Sequence, residues 1–148
     1  YQDWTFRPTN NVTRAESLKI IFWALNTWLS NNTWTIFTDI DIKSWENTYV
    51  NTALDLQIIN KETTQFYPWR NVSRAEALKI ILNSAKVDLT QASNTKINDV
   101  IDTDWSAPYV KYWVDNGLIF LNNWNFNPNK PLTREELLLI LYRYLNKK

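Results

Sequence analysis

Three arginines stand 60 residues apart, each set into the same short phrase. Val12-Thr13-Arg14-Ala15-Glu16, Val72-Ser73-Arg74-Ala75-Glu76 and Leu132-Thr133-Arg134-Glu135-Glu136 superpose without insertion, and each follows a Phe-x-Pro, at Phe6, Phe66 and Phe126. A guanidinium is a permanently charged fork that can grip a carboxylate or phosphate with two hydrogen bonds. At the first position of a helix it also stands beside backbone amides that favour an anion. The flanking groups have a different task. Thr13 with Glu16, Ser73 with Glu76 and Thr133 with Glu136 match the capping box, in which hydroxyl and carboxylate satisfy each other's backbone amides. Each such cap contributes about 1 kcal/mol to its helix. A cap needs no arginine beside it, so Arg14, Arg74 and Arg134 are the candidates for a ligand. The bland alternative is that they cover a neighbouring helix.

Other chemistry is scarce. The 148 residues contain no Cys, His or Met, which removes thiolate nucleophiles, disulfides, imidazole bases and the usual transition-metal ligands. No metal or cofactor is expected. Glycoside hydrolysis needs two carboxylates at a set separation. Glu135 and Glu136 are adjacent on a helix and point apart, while Asp39-x-Asp41 has no counterpart, because residue 101 is Ile. The segment therefore reads as non-catalytic. A net charge of +1, with lysines and arginines scattered, makes no electrostatic case for nucleic acid or an anionic membrane. The apolar run from Ile20 to Leu29 is too short to cross a bilayer.

Helices must position these groups. Apolar residues follow each cap at helical spacing: Leu18, Ile21, Phe22, Leu25 and Leu29; then Leu78, Ile81, Ala85 and Leu89; then Leu138, Leu141 and Leu145. That spacing predicts three amphipathic helices of roughly four turns. A second class runs from Trp45 to Ile59 and from Ala107 to Val114, with Ser44 and Ser106 as expected caps. Nothing alternates over a useful length, so the expected fold is all-α, one unit repeated about a pseudo-symmetry axis. The first half of the unit recurs as Asp39 with Asp99, Trp45 with Trp105, and Ile58-Ile59 with Leu118-Ile119. The chain thus divides as 1–29, the second half of one unit, followed by units at 30–89 and 90–148. An N-terminus in mid-unit looks cut from a longer polypeptide.

Phe37-Thr38-Asp39-Ile40, Trp45, Asn116-Gly117-Leu118-Ile119, Phe126-x-Pro128 and Leu132-Thr133-Arg134-Glu135-Glu136 together resemble the S-layer homology repeat. The resemblance covers essentially the whole chain. It implies a three-pronged helical spindle that anchors a larger bacterial surface polypeptide, extracellularly, to a secondary cell-wall polysaccharide. The polymer is often one bearing pyruvylated N-acetylmannosamine. Grooves between repeats would then hold a pyruvate carboxylate on Arg14, Arg74 or Arg134, with Trp45 or Trp105 against a sugar face. Asp39 and Asp99 would accept from sugar hydroxyls or hold their loops, and Gly117 would lie in the same ligand region. Rival readings are binding of modified peptidoglycan and protein–protein assembly of a surface layer. Glu135 replaces the motif alanine, Gln57 stands opposite Gly117 so that its helix should end differently, and the groove using Arg74 is expected to be the most intact.

The glycine count is the remaining anomaly: one Gly against nine Trp, where ordinary glycine usage is near 7%. Trp4, Trp28, Trp34 and Trp124 occupy turn positions at which the resembled repeat or ordinary turn chemistry places glycine. A turn with positive φ suits Gly and strains any residue with a β-carbon. One explanation is a gene that uses UGA for glycine, as some bacterial lineages do, read conceptually as tryptophan. The other is a real aromatic-rich surface that stacks sugars.

Overall fold

The computed structural model describes residues 5–90 and 93–147. Five helices follow in chain order: α1 (Arg14–Ala24), α2 (Trp45–Asp55), α3 (Arg74–Ser84), α4 (Ala107–Asp115) and α5 (Arg134–Asn146). Among the described residues there is no strand, only isolated bridges, so the all-α expectation holds.

The three capping boxes close as expected. The hydroxyls of Thr13, Ser73 and Thr133 accept from the amides of Glu16, Glu76 and Glu136, and each carboxylate accepts from its cap's own amide. The other two caps differ from expectation. Neither Ser44 nor Ser106 makes a side-chain cap bond. The Ser44 hydroxyl instead donates to the Asp41 carbonyl, and Ser106 has a helical backbone (φ −80°, ψ −21°) where a capping residue is normally extended.

The helices are also shorter than their apolar spacing suggests, 11 residues in α1, α2 and α3. Four of them stop at a residue in the left-handed region: Asn26 (φ 51°), Gln57 (57°), Lys86 (54°) and Gly117 (63°). At each stop the next amide reaches back inside the helix, as Thr27 does to the Phe22 carbonyl at 2.9 Å and Leu118 to Trp113 at 3.0 Å. This is the Schellman closure, which satisfies carbonyls that the helix cannot. Gln57 therefore ends its helix in the same way as Gly117, contrary to expectation, and the fold imposes on three side-chain-bearing residues a backbone that favours glycine.

A cyclic hub joins the units. The Val12 amide donates to the Leu132 carbonyl (2.9 Å), Val72 to Val12 (2.9 Å) and Leu132 to Val72 (3.0 Å). A second ring repeats the pattern: Arg14 to the Arg70 carbonyl, Arg74 to Lys130, and Arg134 to Asn10. Val12, Val72 and Leu132 are fully buried, so these bonds form away from competing water. The pseudo-threefold arrangement rests on this hub. Around it, α2 packs on α1 and α4 packs on α3, while α1 contacts both α3 and α5.

Candidate functional site

The hub decides where the arginines go. The Arg14 Nε donates to the Phe66 carbonyl, Arg74 to Phe126 and Arg134 to Phe6, each at 3.0 Å. Each guanidinium also lies over the ring of that same phenylalanine, at 4.7, 4.8 and 5.4 Å from its centre. Its far edge meets the capping glutamate of the next copy: Arg14 to Glu76 at 2.6 Å, Arg74 to Glu136 at 3.6 Å, Arg134 to Glu16 at 3.9 Å. Each arginine is thus a strut between copies before it is anything else, and the glutamates serve a cap and an ion pair at once.

These pairs are electrostatically tuned. Burial alone would raise the Glu76 carboxyl. The Ser73 amide, the Arg70 hydrogen bond and the charges of Arg14 and Arg70 outweigh it and hold the group below its ordinary value. Glu136 is likewise opposed by burial but lowered by the Thr133 amide, Lys130 and Arg74. Burial pushes Arg14 and Arg74 downward, against the pull of Glu76 and Glu136. A carboxyl whose folded pKa lies below its unfolded one contributes stability that is complete above the unfolded value. That contribution is lost as pH falls through the folded value. Thermal unfolding should therefore be flat in pH above about 5, and its midpoint should fall progressively below the unfolded glutamate value of about 4.3. Glu76→Gln should flatten that acid limb, as measured by calorimetry across pH.

Asp39 and Asp99 hold loops. The two Asp39 oxygens accept from the amides of Phe66 (2.8 Å) and Tyr67 (2.6 Å). Asp99 does the same for Phe126 (2.8 Å) and Asn127 (2.6 Å). Tyr67 and Asn127 both have φ of 58°, and the paired amides explain how that backbone is kept. Of the two roles foreseen for these aspartates, loop-holding is what the geometry displays. Gly117 ends α4 and borders a shallow hollow with Phe120 and Trp124, away from the arginines.

Two grooves do gather the expected residues. The first, about 310 Å³, is bordered by Arg14, Glu76, Lys79, Ile80 and Trp105. The second, about 530 Å³, is bordered by Arg134, Glu16, Lys19, Ile20 and Trp45. They are the same site one 60-residue register apart, with Lys79, Ile80 and Trp105 at the places of Lys19, Ile20 and Trp45. Each therefore takes its arginine, its lysine and its tryptophan from different copies. Asn60 and Gln65 add a polar rim to the first, and Trp23 adds a wall to the second.

Two lysines complete the grooves, and sequence reasoning missed both. The Lys19 Nζ sits 5.0 Å from the Trp45 ring centre, and Lys79 Nζ 5.5 Å from that of Trp105. The signal was available, because Leu18-Lys19-Ile20 and Leu78-Lys79-Ile80 occupy identical places. It was hidden because a lone lysine on an amphipathic helix ordinarily marks its solvated face. Trp45 and Trp105, about half exposed, each carry a cation over the ring and meet a tyrosine, Tyr49 and Tyr109, with Trp69 also edge-on to Trp45.

The unit of Arg74, expected to hold the most intact groove, differs from the other two at one place. Arg74 and Glu136 pair as the others do, but Leu139 stands where Lys19 and Lys79 stand.

Comparison with known proteins identifies the repeat itself. Residues 36–78 and 96–138 match the S-layer homology domain. The chain is 31% identical over 105 residues to "Exoglucanase XynX" of Acetivibrio thermocellus, covering 70% of this chain and 10% of that protein. It is 24% identical over 147 residues to the "Surface-layer 125 kDa protein" of Lysinibacillus sphaericus, covering 93% of this chain and 12% of that protein. Similarity of 31% over 86 residues extends to a "Cellulosome-anchoring protein" of Acetivibrio thermocellus, covering 55% of this chain and 19% of that protein. The chain thus spans between a tenth and a fifth of the length of these relatives.

Proposed function

We propose a function that proceeds from one premise: this chain belongs to the S-layer homology family. Its role is to anchor a larger polypeptide at the bacterial cell surface, without catalysis, by binding an acidic wall polysaccharide. Residues 1–29 act as the second half of a third repeat, completing the hub with units 30–89 and 90–148. The partner is an anionic secondary polymer, with a pyruvylated sugar the best chemical fit.

The observation that carries this reading is the lysine held over a half-exposed tryptophan in two equivalent grooves. A flat indole face suits the apolar side of a sugar ring, and an adjacent ammonium suits a carboxylate carried on that ring. Arg14 and Arg134, already bonded to carbonyls and glutamates, frame the grooves and add positive potential. Among the described residues no helix is long and apolar enough to cross a membrane, so attachment by binding is consistent with the molecule.

Co-sedimentation with purified cell-wall sacculi, before and after acid extraction of their secondary polymer, tests this directly. Trp105→Ala or Lys79→Ala should weaken binding about tenfold, a loss near 1.4 kcal/mol. Combining Trp105→Ala with Trp45→Ala should cost more than either alone, because two grooves on one chain act bivalently. Binding that survives extraction would move the target to peptidoglycan. No binding by the intact chain would favour a protein-assembly module.

A further inference from the structure

Two tryptophans stand exposed around the second groove, Trp23 at 69% and Trp69 at 62%. The repeats supply an internal control for both. The places of Trp23 in the other copies hold Asn83 and Arg143, and those of Trp69 hold Thr9 and Asn129. Two copies out of three are thus built with a polar side chain at each place, so the fold does not call for either indole. Trp23 lies inside α1 and Trp69 has no positive φ, so neither stands where a turn favours glycine. Both rings are nevertheless held. The Trp23 Nε1 donates to the Tyr49 hydroxyl at 2.9 Å, and Trp69 meets Trp45 edge-on with ring centres 6.3 Å apart. Tyr49 and Trp45 meet in turn at 5.9 Å, which joins the four rings into one connected set with the Lys19 ammonium over its middle members.

The first groove repeats only the middle of that set. Trp105 and Tyr109 take the places of Trp45 and Tyr49, with ring centres 6.4 Å apart, but the outer places hold the amides Asn83 and Asn129. The two grooves therefore share a charged centre and differ in their flanks. We infer that Trp23 and Trp69 form an additional subsite of the second groove, which takes an uncharged pyranose ring linked to the acidic sugar. An indole carries no charge and fits the C–H face of a pyranose, and rings held in place before binding lose little freedom when a ligand arrives. The Lys19 ammonium suits the carboxylate of the acidic sugar. Trp23 walls the same groove that Lys19 borders, and this continuity puts the neutral ring on the same saccharide chain. The first groove, without the outer indoles, reads the acidic sugar alone. The subsite deepens the saccharide reading of the grooves and rests on it.

Two probes test it by calorimetric titration: the methyl glycoside of pyruvylated N-acetylmannosamine, and the disaccharide in which that sugar is linked to an unsubstituted N-acetylhexosamine. Lys79→Ala with Trp105→Ala isolates the second groove, and Lys19→Ala with Trp45→Ala isolates the first. In the second groove the disaccharide should bind roughly tenfold tighter than the monosaccharide, from the extra apolar surface it buries. In the first groove the two probes should bind alike. Adding Trp23→Asn and Trp69→Asn, which are the residues the fold already carries one copy later, should bring the second groove's preference close to one. Both probes are measured on each variant, so a loss common to them cancels from that ratio. Equal binding of the two probes in the second groove would overturn the subsite alone, as would a preference that survives the asparagine pair. So would sedimentation showing that the chain self-associates through these indoles, with the asparagine pair restoring the monomer. Binding of neither probe by the unsubstituted chain would sink the acidic-sugar reading, and the subsite with it.

Discussion

Glu76→Ala is expected to destabilise the chain by about 3 kcal/mol, the largest loss among the motif residues. Three contributions vanish together. The Ser73 cap loses its reciprocal bond, Arg14 loses its 2.6 Å partner, and Arg70 loses the same oxygen. Arg14 matters most, because its side chain is only 19% exposed and water cannot fully replace the carboxylate. Arg70 is half exposed and adds little. For a domain of this size, 3 kcal/mol lowers the thermal midpoint by about 6–12 °C. Glu136→Ala should cost less, since its Arg74 partner stands at 3.6 Å and Lys130 is mostly solvated. Urea denaturation of the two variants side by side checks this. Equal costs would mean that the cap alone matters and that the arginine struts contribute nothing. Lost sacculus binding in Arg14→Ala must be read against the same measurement, because that variant also loses a strut.

Trp124→Gly is expected to have the opposite sign, stabilising the chain by about 1 kcal/mol. Asn123 and Trp124 have φ of 49° and 62°, between Asn122 and Asn125, whose amides and carbonyls exchange bonds at 3.1 and 2.9 Å. Two positive φ values inside a two-residue hairpin describe a type I′ turn, whose second central position favours glycine. An indole there carries the left-handed penalty, and at 65% exposure it recovers little by burial. Releasing that strain outweighs the extra freedom glycine gives the unfolded chain. An unchanged or lowered midpoint would show that the indole packs usefully on Phe120. The same position bears on the glycine anomaly. Trp28 and Trp34 lack positive φ, so the expected turn-glycine backbone is found at Trp124 and not at those two, and Trp4 lies outside the described residues. Intact mass of the protein from its native source decides whether residue 124 is glycine. A native tryptophan there would sink the recoding explanation.

Much of the fold was legible because its signals are local. The three capping boxes, the pairs Asp39–Asp99 and Trp45–Trp105, and the two helix classes follow from residue type and a constant period. Helix ends were not, since the left-handed stops at Gln57 and Lys86 are made by residues that carry no such signal, and Asn26 carries a weak one in an asparagine-rich chain. The arginines show the limit most clearly. Adjacent to a cap and at a helix start, Arg14 reads as a free anion receptor. Its partners Phe66 and Glu76 are 52 and 62 residues away.

From its sequence alone this protein is a repeating all-α chain of the S-layer homology kind, because capping and periodicity are settled between near neighbours. Only the tertiary structure assigned the arginines to the hub and Lys19 and Lys79 to the grooves. Each of those depends on which unit the cyclic hub places beside which, and a period of 60 residues is the same whichever way the ring closes.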